Sequence, residues 1–159
     1  MQLFSSGHSN KTLEGFLEEL KSFSIKTLFD IRSKPYSRFC PHFSKKNLEN
    51  SLQDHGIKYR FAGEELGGFP SDNSVFNKGK PDYQKIMQKE WFRSGIQEIL
   101  DISLHPAAVM CSEKDPLKCH RFYLVGEFLY KQGVDIKHIT GENQIQNHSE
   151  LRKGMSLPG

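Results

Sequence analysis

Short apolar runs along the chain alternate with longer segments in which apolar residues recur every three or four positions. The short runs predict strands, because a strand buried between two layers of helices is apolar on both faces. The longer segments predict helices with one apolar face. Because the two kinds alternate, the sequence predicts an α/β fold: one mostly parallel sheet of about five strands with helices on both faces, in a Rossmann-like layering. The predicted strands cover 2–6, 25–31, 57–61, 107–111 and 134–139.

Capping residues and glycines mark the ends of the predicted helices. Ser9 or Asn10 can cap the first helix, and Gly56 supplies the left-handed residue that ends the second. Pro116 suits the first turn of a helix that follows the fourth strand and runs to Gly133. No repeat or low-complexity segment interrupts the chain. We therefore predict a single α/β domain over 1–140, followed by a polar C-terminal tail over 141–159.

Composition narrows the class of protein without indicating its chemistry. The 159 residues include 22 basic and 19 acidic ones, for a net charge of +3, and 36% are hydrophobic. These values describe a soluble globular domain, and no apolar run approaches the roughly 20 residues of a membrane span. The N-terminus lacks a basic region followed by a long apolar stretch, and the three cysteines are unevenly spaced. Both features favour a cytoplasmic location.

Polar motifs follow four of the predicted strands, at the point where each strand ends. In an open parallel sheet, ligands bind outside the carboxyl ends of the strands, so these four loops are expected to converge on one site. The loops contain Gly7-His8-Ser9-Asn10, Asp30-Ile31-Arg32-Ser33, Glu64-Glu65-Leu66-Gly67-Gly68 and Cys111-Ser112-Glu113-Lys114-Asp115.

The loop after the fourth strand carries the strongest chemical signal. Cys111 ends the strand, and Cys119, His120 and Arg121 follow in the next helix. Helix amides and cations near a thiol favour the thiolate, which is the nucleophilic form, so we expect a lower pKa for Cys111 than for Cys40. The alternative is a Cys111 that serves as a small buried hydrophobic residue. The predicted catalytic residues are Cys111, with Glu113, Asp30 and His8 as candidate general acids or bases.

Cys111, Cys119 and His120 also admit two other interpretations. Together with His8 they offer metal-ligand atoms, although their spacing does not match the Cys-x-x-Cys motif of structural zinc sites. We therefore assign no metal ligands. A reversible disulfide between Cys111 and Cys119 remains open as well.

A basic and aromatic segment between 31 and 48 suggests contact with phosphate and bases. It contains Arg32, Arg38, Tyr36 and Phe39 and no acidic residue before Leu48. The alternative is a solvated basic loop. Gly67-Gly68 permits a close backbone approach, or simply marks a turn. The predicted substrate-binding residues are Arg32, Arg38, Gly67, Gly68, Cys119, His120 and Arg121.

Taken together, these motifs resemble the family known as domain of unknown function 488. The resemblance rests on Gly7-His8-Ser9-Asn10, Asp30-Ile31-Arg32-Ser33, Glu65-Leu66-Gly67-Gly68, the segment Met110–Pro116 and Cys119-His120-Arg121. It implies a connection with nucleic-acid metabolism or repair. This chain has Ser112 where the family usually has Ala, and it departs most from the family after Thr140.

The leading functional hypothesis is a cytoplasmic enzyme that acts on an anionic, phosphate-bearing substrate, either a nucleotide or a nucleic acid. Cys111 would be the nucleophile or redox thiol in a group-transfer or hydrolytic reaction, with no cofactor assigned. The rival hypothesis is a non-catalytic nucleic-acid-binding module in which the same arginines bind the ligand. A Cys/His metal site is the third alternative.

Overall fold

The computed structural model describes residues 1–155 and 157, and within them six strands form one sheet in the order β3-β2-β6-β1-β7-β8. A separate two-stranded hairpin pairs β4 with β5. The strands are β1 (Leu3–Gly7), β2 (Thr27–Asp30), β3 (Lys58–Phe61), β4 (Phe76–Asn77), β5 (Lys80–Pro81), β6 (Ala107–Cys111), β7 (Lys137–Gly141) and β8 (Gln144–Asn147).

The pairing confirms the predicted mostly parallel α/β sheet. β1 lies between β6 and β7, and β2 lies between β6 and β3, with every one of these pairs parallel. The sheet has six strands instead of five because β8 adds to β7 in antiparallel orientation. An edge strand with mostly exposed side chains needs no apolar pattern, so its polar sequence gave no strand signal.

The segment predicted as a polar tail therefore extends the sheet and adds a helix. β8 leads directly into α7, whose His148 is fully buried. Ser156, Pro158 and Gly159, which also belong to the predicted tail, lie outside the described residues. The helices are α1 (Leu13–Ser22), α2 (Lys45–Asp54), α3 (Gly63–Leu66), α4 (Tyr83–Met87), α5 (Glu90–Ile99), α6 (Glu127–Lys131) and α7 (His148–Lys153).

Two helix starts differ from those predicted. Thr12, not Ser9 or Asn10, caps α1, and its hydroxyl accepts a hydrogen bond from the amide of Gly15 at 3.0 Å. The helix predicted from Pro116 begins with a separate 3₁₀ turn, Pro116–Lys118, before a π-helical turn, Arg121–Gly126, leads into α6. This arrangement leaves Cys119 in extended backbone between the two turns.

The core forms two apolar clusters, one on each face of the sheet. Alternate residues of β6 separate them: Ala107 and Val109 face the first cluster, and Ala108 and Met110 face the second. The first cluster includes residues of α5 and α6, and the second includes residues of α1 and α2. Helices therefore cover both faces, as predicted. In the described part of the chain, no helix combines the length and apolar character needed to cross a membrane.

The carboxyl ends of β1, β2 and β6 lie side by side. Gly7 pairs with Cys111, and Asp30 pairs with Met110. The amide of His8 then donates to the carbonyl of Cys111 at 2.9 Å, which holds the first and fourth predicted loops together beyond the sheet.

Candidate active site

Two cysteine thiols face each other at the end of β6. The Sγ atoms of Cys111 and Cys119 lie 2.7 Å apart, and both residues are free thiols with little exposed surface. They lie at the base of an open cleft of about 590 Å³, which we call the thiol cleft. Its walls are formed by Arg32, Ser33, Lys34, Gly68, Phe69, Tyr83, Cys111, Ser112, Glu113, Lys118, Cys119 and His120.

Arg121 lies beneath the cleft and is fully buried. Its Nη1 donates to Cys111 Sγ at 2.9 Å and to the carbonyl of Glu113 at 2.5 Å, and its Nη2 donates to the carbonyl of Lys114 at 3.0 Å. One guanidinium thus fixes the loop after β6 and places a positive charge against a thiol. Arg121 is predicted to hold phosphate, and in the structure its guanidinium contacts Cys111 Sγ and the carbonyls of Glu113 and Lys114.

The two thiols differ sharply in acidity. Burial raises the pKa of Cys111, but the hydrogen bond from Cys119 and the charge and hydrogen bond of Arg121 outweigh burial and lower that pKa to about 7. The hydrogen bond to Cys111 raises the pKa of Cys119 well above its ordinary value, and burial adds to this effect. The pair therefore loses its first proton near neutral pH, and in that state Cys111 is the thiolate and Cys119 is the donor.

Gly7 allows the loop after β6 to close against the end of β1. A Cβ atom at this position would collide with the carbonyl oxygen of Glu113, which is the same oxygen that accepts from Arg121. The glycine of the first polar loop is therefore needed for a close backbone approach.

A buried ion pair lies next to the thiols. Arg32 donates to Asp30 through Nε at 2.8 Å and through Nη2 at 2.7 Å, and the hydroxyl of Tyr59 donates to the same carboxylate at 2.6 Å. Both carboxylate oxygens of Asp30 are thus occupied. Its carboxylate anchors Arg32.

His8 supports Arg32 from the other side. Its Nδ1 donates to the carbonyl of Ser9 at 2.8 Å, so its Nε2, 3.3 Å from Arg32 Nη1, is the acceptor. Burial lowers the pKa of His8 to about 4, and its ring stacks on Phe43. His8 is therefore neutral at pH 7 and lies behind the wall of the thiol cleft.

His120 and the glycine pair form another wall. His120 Nε2 donates to the carbonyl of Ile31 at 3.0 Å, which leaves Nδ1 as an acceptor 3.6 Å from Cys119 Sγ. Burial lowers the pKa of His120 to about 4. A Cβ atom on Gly68 would lie only 2.9 Å from His120 Cγ, and one on Gly67 would collide with Ser33. Both glycines therefore permit a close backbone approach.

The rim of the cleft is charged and exposed. Lys34 and Lys118 lie on it, together with Glu113, whose carboxylate accepts from the amide of Asp115 at 3.2 Å. Arg38 is also exposed, but it does not line the thiol cleft. The structure thus brings together Cys111, Cys119, His120, Arg32 and Glu113, places Asp30, His8 and Arg121 behind them, and leaves Arg38 outside.

A buried polar chain extends from the site to the C-terminal helix. Arg121 Nε donates to Ser5 Oγ at 3.1 Å, and Ser5 in turn lies 2.6 Å from His138 Nδ1. His138 Nε2 lies 2.9 Å from His148 Nδ1, and His148 Nε2 donates to Glu127 at 2.6 Å. Because the carboxylate only accepts, every bond in the chain has one direction, from Arg121 to Glu127.

Sequence reasoning missed this buried polar chain of Ser5, His138, His148 and Glu127. Ser5 and His138, which are in contact, are separated by 133 positions, and each member is an ordinary residue in its local context. In the sequence, only His138, a polar residue within the predicted fifth strand, pointed to a buried polar contact there.

No group of three or more His, Cys, Asp or Glu side chains is arranged to hold a metal ion within residues 1–155 and 157. Cys111, Cys119 and His120 come close together, but their polar atoms are engaged with one another, with Arg121 and with the carbonyl of Ile31.

A family model matches the part of the chain that contains most of the site. The model of the family described as "Domain of unknown function DUF488" matches residues 12–128. The chain belongs to this family. The matched DUF488 region includes the two thiols, Arg121 and Glu127, whereas His8 precedes it and both His138 and His148 follow it. No curated protein matches the chain.

Proposed function

We propose that this DUF488 protein is a thiol-dependent enzyme in which Cys111 attacks an anionic, phosphate-bearing substrate such as a nucleotide or a nucleic acid. One observation carries the proposal: the buried guanidinium of Arg121 donates to Cys111 Sγ at 2.9 Å. A cation in a site shielded from water stabilises the thiolate far more than an exposed one does. The reaction is a group transfer or a hydrolysis that passes through a covalent bond to Cys111.

The surrounding residues serve as a general acid or base, attract the anionic group and position Arg32. Glu113, exposed at the rim, is the candidate general acid or base, and Lys34 and Lys118 attract the anionic group. Asp30 and His8 are positioning residues that hold the guanidinium of Arg32 in the wall of the cleft. The cysteines are free thiols, which suits a reducing compartment such as the cytoplasm.

Selective alkylation tests the nucleophile. At neutral pH, iodoacetamide should modify Cys111 ahead of Cys119 and Cys40, with each site followed by mass spectrometry. Cys111→Ser should remove this fast phase, and Cys40→Ser, the matched control, should leave it intact. Equal slow labelling at all three cysteines would reject the proposal.

A substrate screen tests the reaction. Wild type, Cys111→Ser and Cys40→Ser should be incubated with nucleotides and oligonucleotides, and both product release and covalent adducts should be measured. The proposal predicts turnover or an adduct in wild type and Cys40→Ser and neither in Cys111→Ser. Turnover that persists in Cys111→Ser would assign the chemistry to another residue.

One observation favours the second candidate, a nucleic-acid-binding module. Tyr36 is 77% exposed and Phe39 is 93% exposed, and they flank the exposed Arg38. Exposed aromatic rings beside a cation are suited to stacking on unpaired bases. If this candidate is correct, Phe39→Ala and Arg38→Ala should weaken single-stranded nucleic-acid binding, the affinity should fall with salt, and Cys111→Ser should bind normally.

A further inference from the structure

We propose that Cys111 and Cys119 form a thiol–disulfide exchange centre that reduces small anionic disulfides in the thiol cleft. The inference rests on the proposed function in one respect, the nucleophilic character of Cys111. It adds a chemical role for Cys119 and a substrate class for the cleft.

The positions of the two sulfurs suit a disulfide. They are 2.7 Å apart, so closing to a bond of about 2.05 Å requires only a small movement of side chains. Both cysteines line the same cleft, with 2% of Cys111 and 7% of Cys119 exposed, so a disulfide would approach both from that cleft. Cys40 is part of the opposite apolar cluster and does not line this cleft.

The first step is attack by Cys111. Its thiolate, held by Arg121, bonds to one sulfur of the small disulfide, and the other sulfur leaves with the electron pair as a thiolate. The product is a mixed disulfide at Cys111. The charge on Cys111 is lost in this step, because its electron pair now forms the new bond.

That loss of charge activates Cys119. Its pKa is raised first by the hydrogen bond to Cys111, then by burial and by the negative charge of Cys111, whereas Arg121 acts to lower it. Once Cys111 is capped, burial remains as the only one of these effects that opposes ionisation of Cys119. The amide of Arg121 also donates toward Cys119 Sγ at 3.5 Å, which favours its thiolate.

The second step is resolution by Cys119. Its sulfur attacks the sulfur of Cys111, the proton passes to the first leaving thiolate, and the second small thiolate departs. The balance is one dithiol of the protein and one small disulfide converted to one protein disulfide and two small thiols. The small disulfide is the oxidant, and no other co-reactant is needed.

The charge of the cleft selects the disulfide. Lys34 and Lys118 are exposed at the rim, against one exposed carboxylate among the lining residues, that of Glu113, and the charge of Arg32 in the wall is balanced by Asp30. Opposite charges raise the rate of encounter, and this effect weakens with salt. A disulfide that carries carboxylates is therefore favoured over one that carries amines.

The test uses oxidised glutathione, whose carboxylates outnumber its amines and give it a net negative charge, and cystamine, which carries only amines, with intact-mass measurement. Wild type and Cys40→Ser should lose two thiols, gain no adduct, and recover after dithiothreitol. Cys119→Ser should retain one glutathione on Cys111, and Cys111→Ser should react with neither probe in the cleft. Lys34→Gln combined with Lys118→Gln should slow the reaction with oxidised glutathione at low salt but not the reaction with cystamine.

The outcomes separate this inference from the proposed function. If wild type retains the same stable glutathione adduct as Cys119→Ser, Cys119 does not resolve and the exchange centre is rejected, although selective alkylation of Cys111 would still support the nucleophile. No reaction with either disulfide also rejects the centre. If wild type prefers cystamine, the assignment of an anionic substrate is wrong.

Discussion

At the scale of single residues, the site depends on which charges are buried together. The Asp30–Arg32 pair is almost completely buried, whereas the Arg60–Glu98 pair has about 40% of each side chain exposed. Removing one partner of a buried pair leaves an uncompensated charge, but an exposed pair contributes little. Two single substitutions can compare the pairs directly.

Asp30→Asn should lower the free energy of unfolding by about 3 kcal/mol, because Arg32 then keeps its charge in a buried site without a carboxylate. Glu98→Gln, the matched control on the exposed pair, should change it by less than about 1 kcal/mol. Urea unfolding measures both values. Equal losses in the two variants would mean that burial of the Asp30–Arg32 pair is unimportant.

The contact between Gly68 and His120 is a second single-residue feature. Gly68→Ala should destabilise the fold by about 1–3 kcal/mol and shift the imidazole resonances of His120, because the new Cβ would lie 2.9 Å from the ring. Gly154→Ala is the control, since the nearest atom to its Cβ is 3.9 Å away. Unchanged His120 resonances in Gly68→Ala would show that the loop accommodates a Cβ atom and that the close contact with His120 does not require glycine.

At the scale of elements, α7 holds the far end of the buried polar chain. His148 connects His138 to Glu127, which also accepts from Arg152 Nε at 2.7 Å. The helix has only six residues, so its position depends on these contacts more than on helix propensity.

His148→Ala should therefore loosen β8 and α7 together. It leaves His138 Nε2 and one side of Glu127 without their present partners, which should cost about 2–3 kcal/mol and speed amide exchange in both elements. His55→Ala, at an exposed position, is the control. If exchange in β8 and α7 is unchanged, the polar chain does not fix the C-terminal segment.

The strand ends that position the site could be predicted from the sequence, but the side-chain contacts within the site could not. The ends of β1, β2 and β6 were predictable, because buried strands have an apolar pattern and polar loops follow them. The direction in which the Arg121 side chain points was not predictable. A guanidinium at the start of a helix can face solvent, substrate or a thiol with the same local sequence. Ser5 and His138 could not be paired for a related reason: their contact depends on the folded sheet, not on neighbouring residues.

At the scale of the whole molecule, four histidines with lowered pKa values couple stability to pH. Burial lowers the pKa of His8 and His120 to about 4 and also lowers the pKa values of His138 and His148. The unfolded chain binds protons at these positions near the ordinary pKa of about 6.5, so it holds more protons than the folded chain below that pH. Stability should therefore fall as pH drops from about 6.5 toward 4.

Urea unfolding at a series of pH values tests this coupling. The free energy of unfolding should be lower at about pH 5 than at about pH 7.5, and replacing His8 with Gln should reduce the difference. Replacing the exposed His55 with Gln should not. A stability that is flat or rises toward acid pH would contradict the neutral state of the buried histidines.

The central claim, that the hydrogen bond from Cys119 and the buried charge of Arg121 lower the pKa of Cys111 to about 7, has one direct measurement. The rate of Cys111 alkylation should be followed against pH in wild type and in Arg121→Lys, with circular dichroism to confirm folding and Arg60→Lys as the exposed control. Wild type and the control should show an apparent pKa of about 7, and Arg121→Lys should move it toward the ordinary value of about 8.5. A wild-type Cys111 that reacts only above the pH at which Cys40 does, or a pKa unchanged in a folded Arg121→Lys, would contradict the account.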